Sequence, residues 1–241
     1  MRRAARCILL VSAPLLVSCA LNDPAWSHMQ AGSHVVTFDE GVGDYNAHFD
    51  VFGTSGVLTG ATGSDSSNLD IKFAANFKYE YYLADNWTIG GLAGYINADA
   101  DPIAPLGTPI TASNIETLRL HLLSRYWFGP LAGAQRLRPF VVLHGLIIPY
   151  THADLAVDYG GGMVENIDTS ASTHFGIGGS AGVAYLIADD WAFETGIYAE
   201  QTITAAEADV TLHPPGLPPS GLEADVNTDL VAVFFGISFA F

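Results

Sequence analysis

Two overlapping glycine-rich stretches have the spacing of catalytic or cofactor-binding motifs. GGSAG, residues 178–182, matches the nucleophile elbow around Ser180, and GIGGSA, residues 176–181, matches a dinucleotide fingerprint. Both motifs need a strand that turns into a helix. Here apolar residues alternate with small ones from Phe175 to Tyr185, as in the middle of a strand. We therefore attribute both matches to chance and predict no catalytic residue and no cofactor.

Ionisable side chains are the second group of candidates for chemistry. The chain has 25 acidic residues against nine basic ones, and this acidity argues against nucleic-acid binding. Its eight histidines form no His-Glu-x-x-His motif, and its two cysteines, Cys7 and Cys19, lie near the N-terminus. We therefore predict no metal site and no thiol nucleophile. Polar and bulky side chains nevertheless recur on one face of several alternating segments. These residues are Lys72, Lys78, Glu80, Arg119, His121, Arg125, Trp127, His174, Glu194 and Tyr198.

The alternation itself predicts β-strands. Between Leu69 and Leu83 the odd positions are apolar or aromatic and most of the even ones are polar. The last segment, LVAVFFGISFAF, has an apolar residue at every odd position from Val231 to Phe241. A period of two indicates strands with one apolar face. That face would contact a core in a soluble sandwich and lipid in a membrane barrel, so one strand alone leaves both classes open.

The N-terminal residues favour the membrane alternative. MRRAAR followed by CILLVSAPLLVS is typical of a secretory signal peptide, which we predict to span residues 1–20. LVSC, residues 16–19, also fits a lipobox in which Cys19 would be lipidated and become the mature N-terminus. The chain is 49% hydrophobic, yet after the signal no apolar run reaches the roughly 20 residues of a spanning helix. We therefore expect residues 21–241 to form one closed barrel in the outer membrane.

The predicted barrel is all-β, with eight antiparallel transmembrane strands. The first falls within residues 34–58 and is poorly placed; the others are predicted at about 69–82, 87–98, 114–128, 138–151, 169–187, 191–204 and 228–241. Short and long connections alternate, as periplasmic turns and outer loops do in such barrels. The long connections, rich in Pro, Gly and acidic residues, are interpreted as outer loops.

A repeated phrase marks two of the periplasmic turns. YYLADNW, residues 81–87, and YLIADDW, residues 185–191, share Ala-Asp, a second turn residue and Trp. The tryptophans fall where a strand re-enters the bilayer, in the aromatic belt. A final aromatic residue is expected to be read by the outer-membrane assembly machinery. The predicted interface aromatics are Trp87, Tyr126, Trp191, Phe239 and Phe241.

From Leu69 to Phe241 the sequence resembles the OmpW family of small outer-membrane proteins. The segments that carry the resemblance are YEYYLADNW, LLSRYWFGP, LRPFVVLHG, GGSAGVAYLIADDW and FFGISFAF. Residues 126–129 and 138–140 match the family's strand end and the Arg-Pro-aromatic strand start that follows it, whereas the family's Arg-x-Gly start of the first strand is not evident. The resemblance implies an eight-stranded barrel with a hydrophobic interior, associated with passage of small apolar molecules. It carries no site residue over.

The interior of an eight-stranded barrel is just wide enough for side chains to fill. We therefore favour a salt-bridged plug over an open aqueous pore for the inward-facing polar set. Three functions remain open: a narrow channel for small, mainly hydrophobic molecules, a structural or surface-interaction barrel, and, less favoured, a lipid-modifying enzyme. The expected partners are outer-membrane lipids and lipopolysaccharide, the assembly machinery and small apolar solutes. The oligomeric state is left open.

Overall fold

The computed structural model describes residue 26 and residues 29–241. The predicted signal peptide, Cys19 included, lies outside the described residues. Within them, a 3-10 turn at Gly56–Leu58 accompanies ten strands. The strands are β1 (His34–Gly53), β2 (Thr62–Ala84), β3 (Trp87–Ala100), β4 (Ile110–Trp127), β5 (Leu137–Asp158), β6 (Val164–Ala171), β7 (His174–Ala188), β8 (Trp191–Thr202), β9 (Ala206–Leu212) and β10 (Ser220–Ala240). In this part of the chain, no helix has the length and apolarity needed to cross a membrane.

Eight of the strands close into a ring. The order is β1-β2-β3-β4-β5-β7-β8-β10, and β10 pairs back with β1, every pair being antiparallel. The two remaining strands extend the wall above the ring, where β6 pairs with β5 and β9 pairs with β10. Closure leaves the ring with no free edge, and the prediction of an eight-stranded all-β barrel is confirmed.

Strands extend into several segments that we predicted to be outer loops. The predicted strand 169–187 is interrupted at residues 172–173, so that β6 and β7 are separate, and the segment after β8 forms β9 and the start of β10. AEADVTL, which we interpreted as part of a loop, alternates Ala206, Ala208, Val210 and Leu212 inward with polar residues outward. We missed this two-residue alternation because the surrounding segment is rich in proline and glycine, which are typical of loops.

The outward face separates a lipid-facing band from a polar upper zone. The band covers residues 73–83 of β2, 118–126 of β4 and 231–241 at the end of the chain, where large apolar side chains are exposed at alternate positions. About 9–11 residues per strand is the length of a tilted transmembrane strand. Above the band the outward residues become polar, as at Lys72, Asp99 and Asp229. The short turns lie at the opposite, periplasmic end.

Candidate functional site: the barrel lumen

A buried ionic cluster fills the middle of the lumen. The Arg125 guanidinium lies 2.7 Å from the Glu80 carboxylate and 3.0 Å from that of Glu194. Lys78 reaches Glu194 at 3.6 Å and Asp39 at 3.2 Å. Alternate side chains on a strand point to opposite faces, and these five, on β1, β2, β4 and β8, all point into the lumen. Their ion pairs compensate much of the cost of burying charge.

Nine of the ten residues predicted to line the lumen have inward-facing side chains. They are Lys78, Glu80, Arg119, His121, Arg125, Trp127, His174, Glu194 and Tyr198. Asp39 was missing from the prediction, because β1 could not be placed accurately. Alternation also predicts that Glu200 faces inward with Glu194 and Tyr198, as it does, and the same alternation on β5 could have found the inward-facing His144.

Lys72 is the exception, and its predicted position in the lumen is wrong. The pairing of β2 with β3 shifts register between Ile71 and Phe73, so the inward and outward faces exchange at Lys72. Its ammonium group binds Asp99 at 2.7 Å on the outer face. The same bulge turns Leu69 and Ile71 inward, although their odd positions had predicted lipid contact.

An aromatic layer closes the lumen below the ionic cluster. Trp127 stacks on Tyr82, with ring centroids 6.1 Å apart, and meets Phe140 edge-on at 5.2 Å. Trp26, from the segment before β1, lies 6.5 Å from Trp127 and donates its indole N–H to the Gln135 carbonyl. This layer blocks the straight route to the periplasmic end.

The outer part of the lumen holds an apolar cavity of about 140 Å³. Its walls are largely aliphatic, and much of the lining comes from the segments that extend above the lipid-facing band. Representative lining residues are Val51, Val157, Ala208, Val210, Leu212 and Leu222. Such side chains bind apolar atoms through surface burial and offer few hydrogen-bonding groups.

The barrel wall opens beside this cavity. Pairing of β1 with β2 stops at Asp39–Asn76 and resumes at Tyr45–Leu69, so residues 40–44 have no ladder partner on β2. The gap lies at the upper edge of the lipid-facing band. Its lining shares Tyr45 and Leu69 with the apolar cavity, and Gly41 with a smaller cavity of about 60 Å³ above the ionic cluster. The interrupted part of the wall thus adjoins both cavities.

The predicted aromatic belt lies at the periplasmic end of the band. Trp87 and Tyr126 are paired across β3 and β4, and both are nearly half exposed. Trp191 contacts Phe239 with ring centroids 4.9 Å apart, and Phe239 stacks near Phe241 at 6.0 Å. Rings at this level suit the polar–apolar boundary of a bilayer.

Ser180, at the centre of the GGSAG match, lies in the middle of β7. It pairs with Val142 on one side and Tyr198 on the other, and β7 leads into a turn and then β8. The strand-to-helix turn that exposes a nucleophile is therefore lacking at this position.

A closed ring of strands, an apolar outward band with aromatic rings at its edge and a polar lumen together define an outer-membrane β-barrel. The chain belongs to the family described as outer membrane protein beta-barrel domain, which matches residues 15–239. The protein is accordingly assigned to the bacterial outer membrane. The predicted resemblance to small outer-membrane barrels of the OmpW type is confirmed for the family and the fold.

Solved structures of small outer-membrane barrels have a similar fold. The outer membrane protein OprG of Pseudomonas aeruginosa has a TM-score of 0.50 at 15% identity, over 87% of this chain and 97% of its own. AlkL, solved in lipid bilayers, has a TM-score of 0.47 at 14% identity, over 88% of this chain and 91% of its own. Neisserial surface protein A has a TM-score of 0.42 at 15% identity, over 87% and 99% respectively. No curated protein matches the sequence.

Proposed function

We propose that the barrel carries small, mainly hydrophobic molecules across the outer membrane. The observation that supports this most directly is the apolar outer cavity, which has a volume of about 140 Å³. An aliphatic cavity of roughly 150 Å³ is known to stay dry and to bind benzene. The cavity therefore suits a single aromatic ring or a short alkyl chain, in keeping with the OmpW resemblance.

The route we propose leaves the barrel sideways. The ionic cluster and the aromatic layer fill the lumen below the cavities, so an apolar solute moving straight down would have to displace paired charges. The gap between residues 40–44 of β1 and β2 avoids that cost and leads toward lipid. Outer-membrane lipids, lipopolysaccharide included, are the partners that this route requires.

Two substitutions separate binding from release. Ala208→Trp would fill the apolar cavity, which the Ala208 side chain lines. Gly41→Phe would place a ring on the lumen side of the gap, where a Cβ on Gly41 would meet the inward-facing Ala232 side chain at 3.6 Å. We expect Ala208→Trp to weaken binding of a small apolar fluorophore by about tenfold or more. We expect Gly41→Phe to retain binding and to slow transfer of the same fluorophore into lipid vesicles.

Ala199→Trp is the matched control, since Ala199 is exposed on the lipid-facing side of β8. Binding and transfer should match the wild type in that variant. A wild-type barrel that neither binds the fluorophore nor speeds its entry into vesicles would contradict the proposal and favour a structural or surface-interaction barrel. Turnover of a lipid substrate by the purified protein, abolished in Ser180→Ala, would favour the enzyme alternative.

A further inference from the structure

A second polar cluster lies in the lumen just above the ionic cluster of Arg125, Glu80, Glu194, Lys78 and Asp39. It consists of His121 on β4, His144 on β5 and Glu200 on β8, together with Arg119 and Tyr198. The imidazole rings of His121 and His144 meet edge-on with centroids 4.8 Å apart, and the His144 Nε2 lies 3.5 Å from the Glu200 carboxylate. One ligand atom from each of these two histidines and Glu200 can be chosen so that all three lie within 4.8 Å of one another.

The histidines are buried without the hydrogen bonds that buried imidazoles normally make. His121 is 6% exposed and His144 8%. Neither ring nitrogen of His121, nor the Nε2 of His144, has a hydrogen-bond partner among the described residues. Leaving such groups unsatisfied costs about 1–3 kcal/mol each, so they need an explanation. An imidazole nitrogen with a free lone pair is also the commonest protein ligand of a transition metal.

The charges inside the barrel are nearly balanced. The lumen ion pairs involve four carboxylates, those of Asp39, Glu80, Glu194 and Glu200. They involve three cations, those of Lys78, Arg119 and Arg125, and a fourth buried cation, Arg138, lies over the Trp127 ring nearer the periplasmic end. Arg119 and Tyr198 both contact the Glu200 carboxylate, so an ion bound at the histidines would share that carboxylate with Arg119.

The space beside the two imidazoles fits an ion. His121, His144, Arg119 and Tyr198 line the cavity of about 60 Å³, whereas a bound water needs only about 10–15 Å³. Gly178 on β7 makes the arrangement possible, because a Cβ there would lie 2.3 Å from the His144 Nε2 and 2.6 Å from the Glu200 Cβ. Zn²⁺ binds nitrogen and oxygen ligands at about 2.0–2.2 Å, so the three ligand atoms would each have to move toward a central ion by only about 1 Å.

We propose that His121, His144 and Glu200 bind a divalent transition metal of the zinc class inside the barrel. Two imidazoles and one carboxylate are ligands that Zn²⁺ accepts, and imidazole ligands disfavour Mg²⁺ and Ca²⁺. Three protein ligands leave a coordination position open toward the cavity, which water or a solute donor atom can occupy. This site is independent of the proposed passage of apolar molecules, and it departs from the prediction of no metal site, because the ligands come from three strands distant in sequence.

The test uses the full barrel in detergent, stripped of metal with a chelator and titrated with Zn²⁺ by calorimetry. We expect one ion per chain, with affinity lowered by about tenfold or more in His121→Gln and in His144→Gln, since each loses a direct ligand. His152→Gln is the control, because His152 belongs to a solvent-accessible cluster with Asp154 and Asp168. The His152→Gln variant should bind Zn²⁺ with the affinity of the wild type. A heat-dependent shift on a detergent gel verifies that each variant is folded.

Wild-type protein that binds no Zn²⁺, or variants that bind it unchanged, would overturn the site. If the lumen variants fail to fold, X-ray absorption of the zinc-loaded wild type decides. Scattering from two imidazoles supports the proposal, and a zinc shell without imidazole refutes it.

Discussion

Replacing Arg125 by Met tests whether the lumen is held by paired charges. Arg125 is fully buried, and its guanidinium contacts the Glu80 and Glu194 carboxylates at 2.7 and 3.0 Å. It also lies over the rings of Trp127 and Phe140, 4.7 and 4.5 Å from their centroids. The Met side chain keeps most of the apolar stem and removes the charge.

The two carboxylates are not affected equally. Glu194 keeps Lys78 at 3.6 Å and the Ser238 hydroxyl at 2.5 Å. Glu80 keeps one hydrogen bond, from the Thr88 hydroxyl at 2.7 Å, and its only cation among the described residues is Arg125. Breaking a buried pair on one side costs about 3–5 kcal/mol. We expect Arg125→Met to lower the free energy of unfolding by that amount, mostly through Glu80.

The double variants give the decisive result. Adding Glu80→Gln to Arg125→Met should restore most of the lost stability, and adding Glu194→Gln should restore less, because Glu194 still has Lys78. The measurement is reversible urea unfolding in lipid vesicles, followed by tryptophan fluorescence. Arg136→Met, at an exposed position in the turn before β5, is the matched control and should change the free energy by less than about 0.5 kcal/mol. Equal rescue by both glutamines, or no loss in Arg125→Met, would refute this account of the lumen.

Three further predictions concern the wall, the outer rim and closure. Leu122 is 77% exposed in the lipid-facing band, so Leu122→Arg should lower the free energy of unfolding by about 2–4 kcal/mol in the same measurement. An unchanged free energy would mean that Leu122 does not face lipid. Above the membrane, burial alone would raise the pKa of Glu165, but hydrogen bonds from Tyr159 and His213 hold it below its ordinary value of 4.5. A depressed pKa stabilises the fold above pH 4.5 and loses that effect as pH falls through the folded-state pKa. Acid should therefore speed hydrogen exchange, relative to intrinsic rates, at the amides of His213, Gly216 and Leu217, and Glu165→Gln should flatten the pH dependence; unchanged protection would contradict it. Lastly, because a closed barrel resists detergent until heated, boiled and unboiled samples should migrate differently on a gel, and identical migration would refute closure.

The in/out pattern of the barrel could be predicted because a strand repeats every two residues. Alternation alone placed Arg125 and Glu194 inside and Tyr126 outside, and the Ala-Asp turns before Trp87 and Trp191 predicted two hairpins. The apolar period of the outward face is a local property that needs no knowledge of which strands are neighbours.

Tertiary structure alone decided what local periodicity cannot express. The bulge at Lys72 reverses the faces of β2, and it exists because β2 must follow the register of β3. The gap in the wall depends on where β1 loses its pairing with β2, which is a relation between two strands. His121, His144 and Glu200 lie on β4, β5 and β8, and only the closure of the ring brings them together across the lumen. Away from the bulge at Lys72, the sequence determined which side chains face inward, whereas the register and closure of the barrel determined which of them meet, because contacts between distant strands depend on pairing that no single segment encodes.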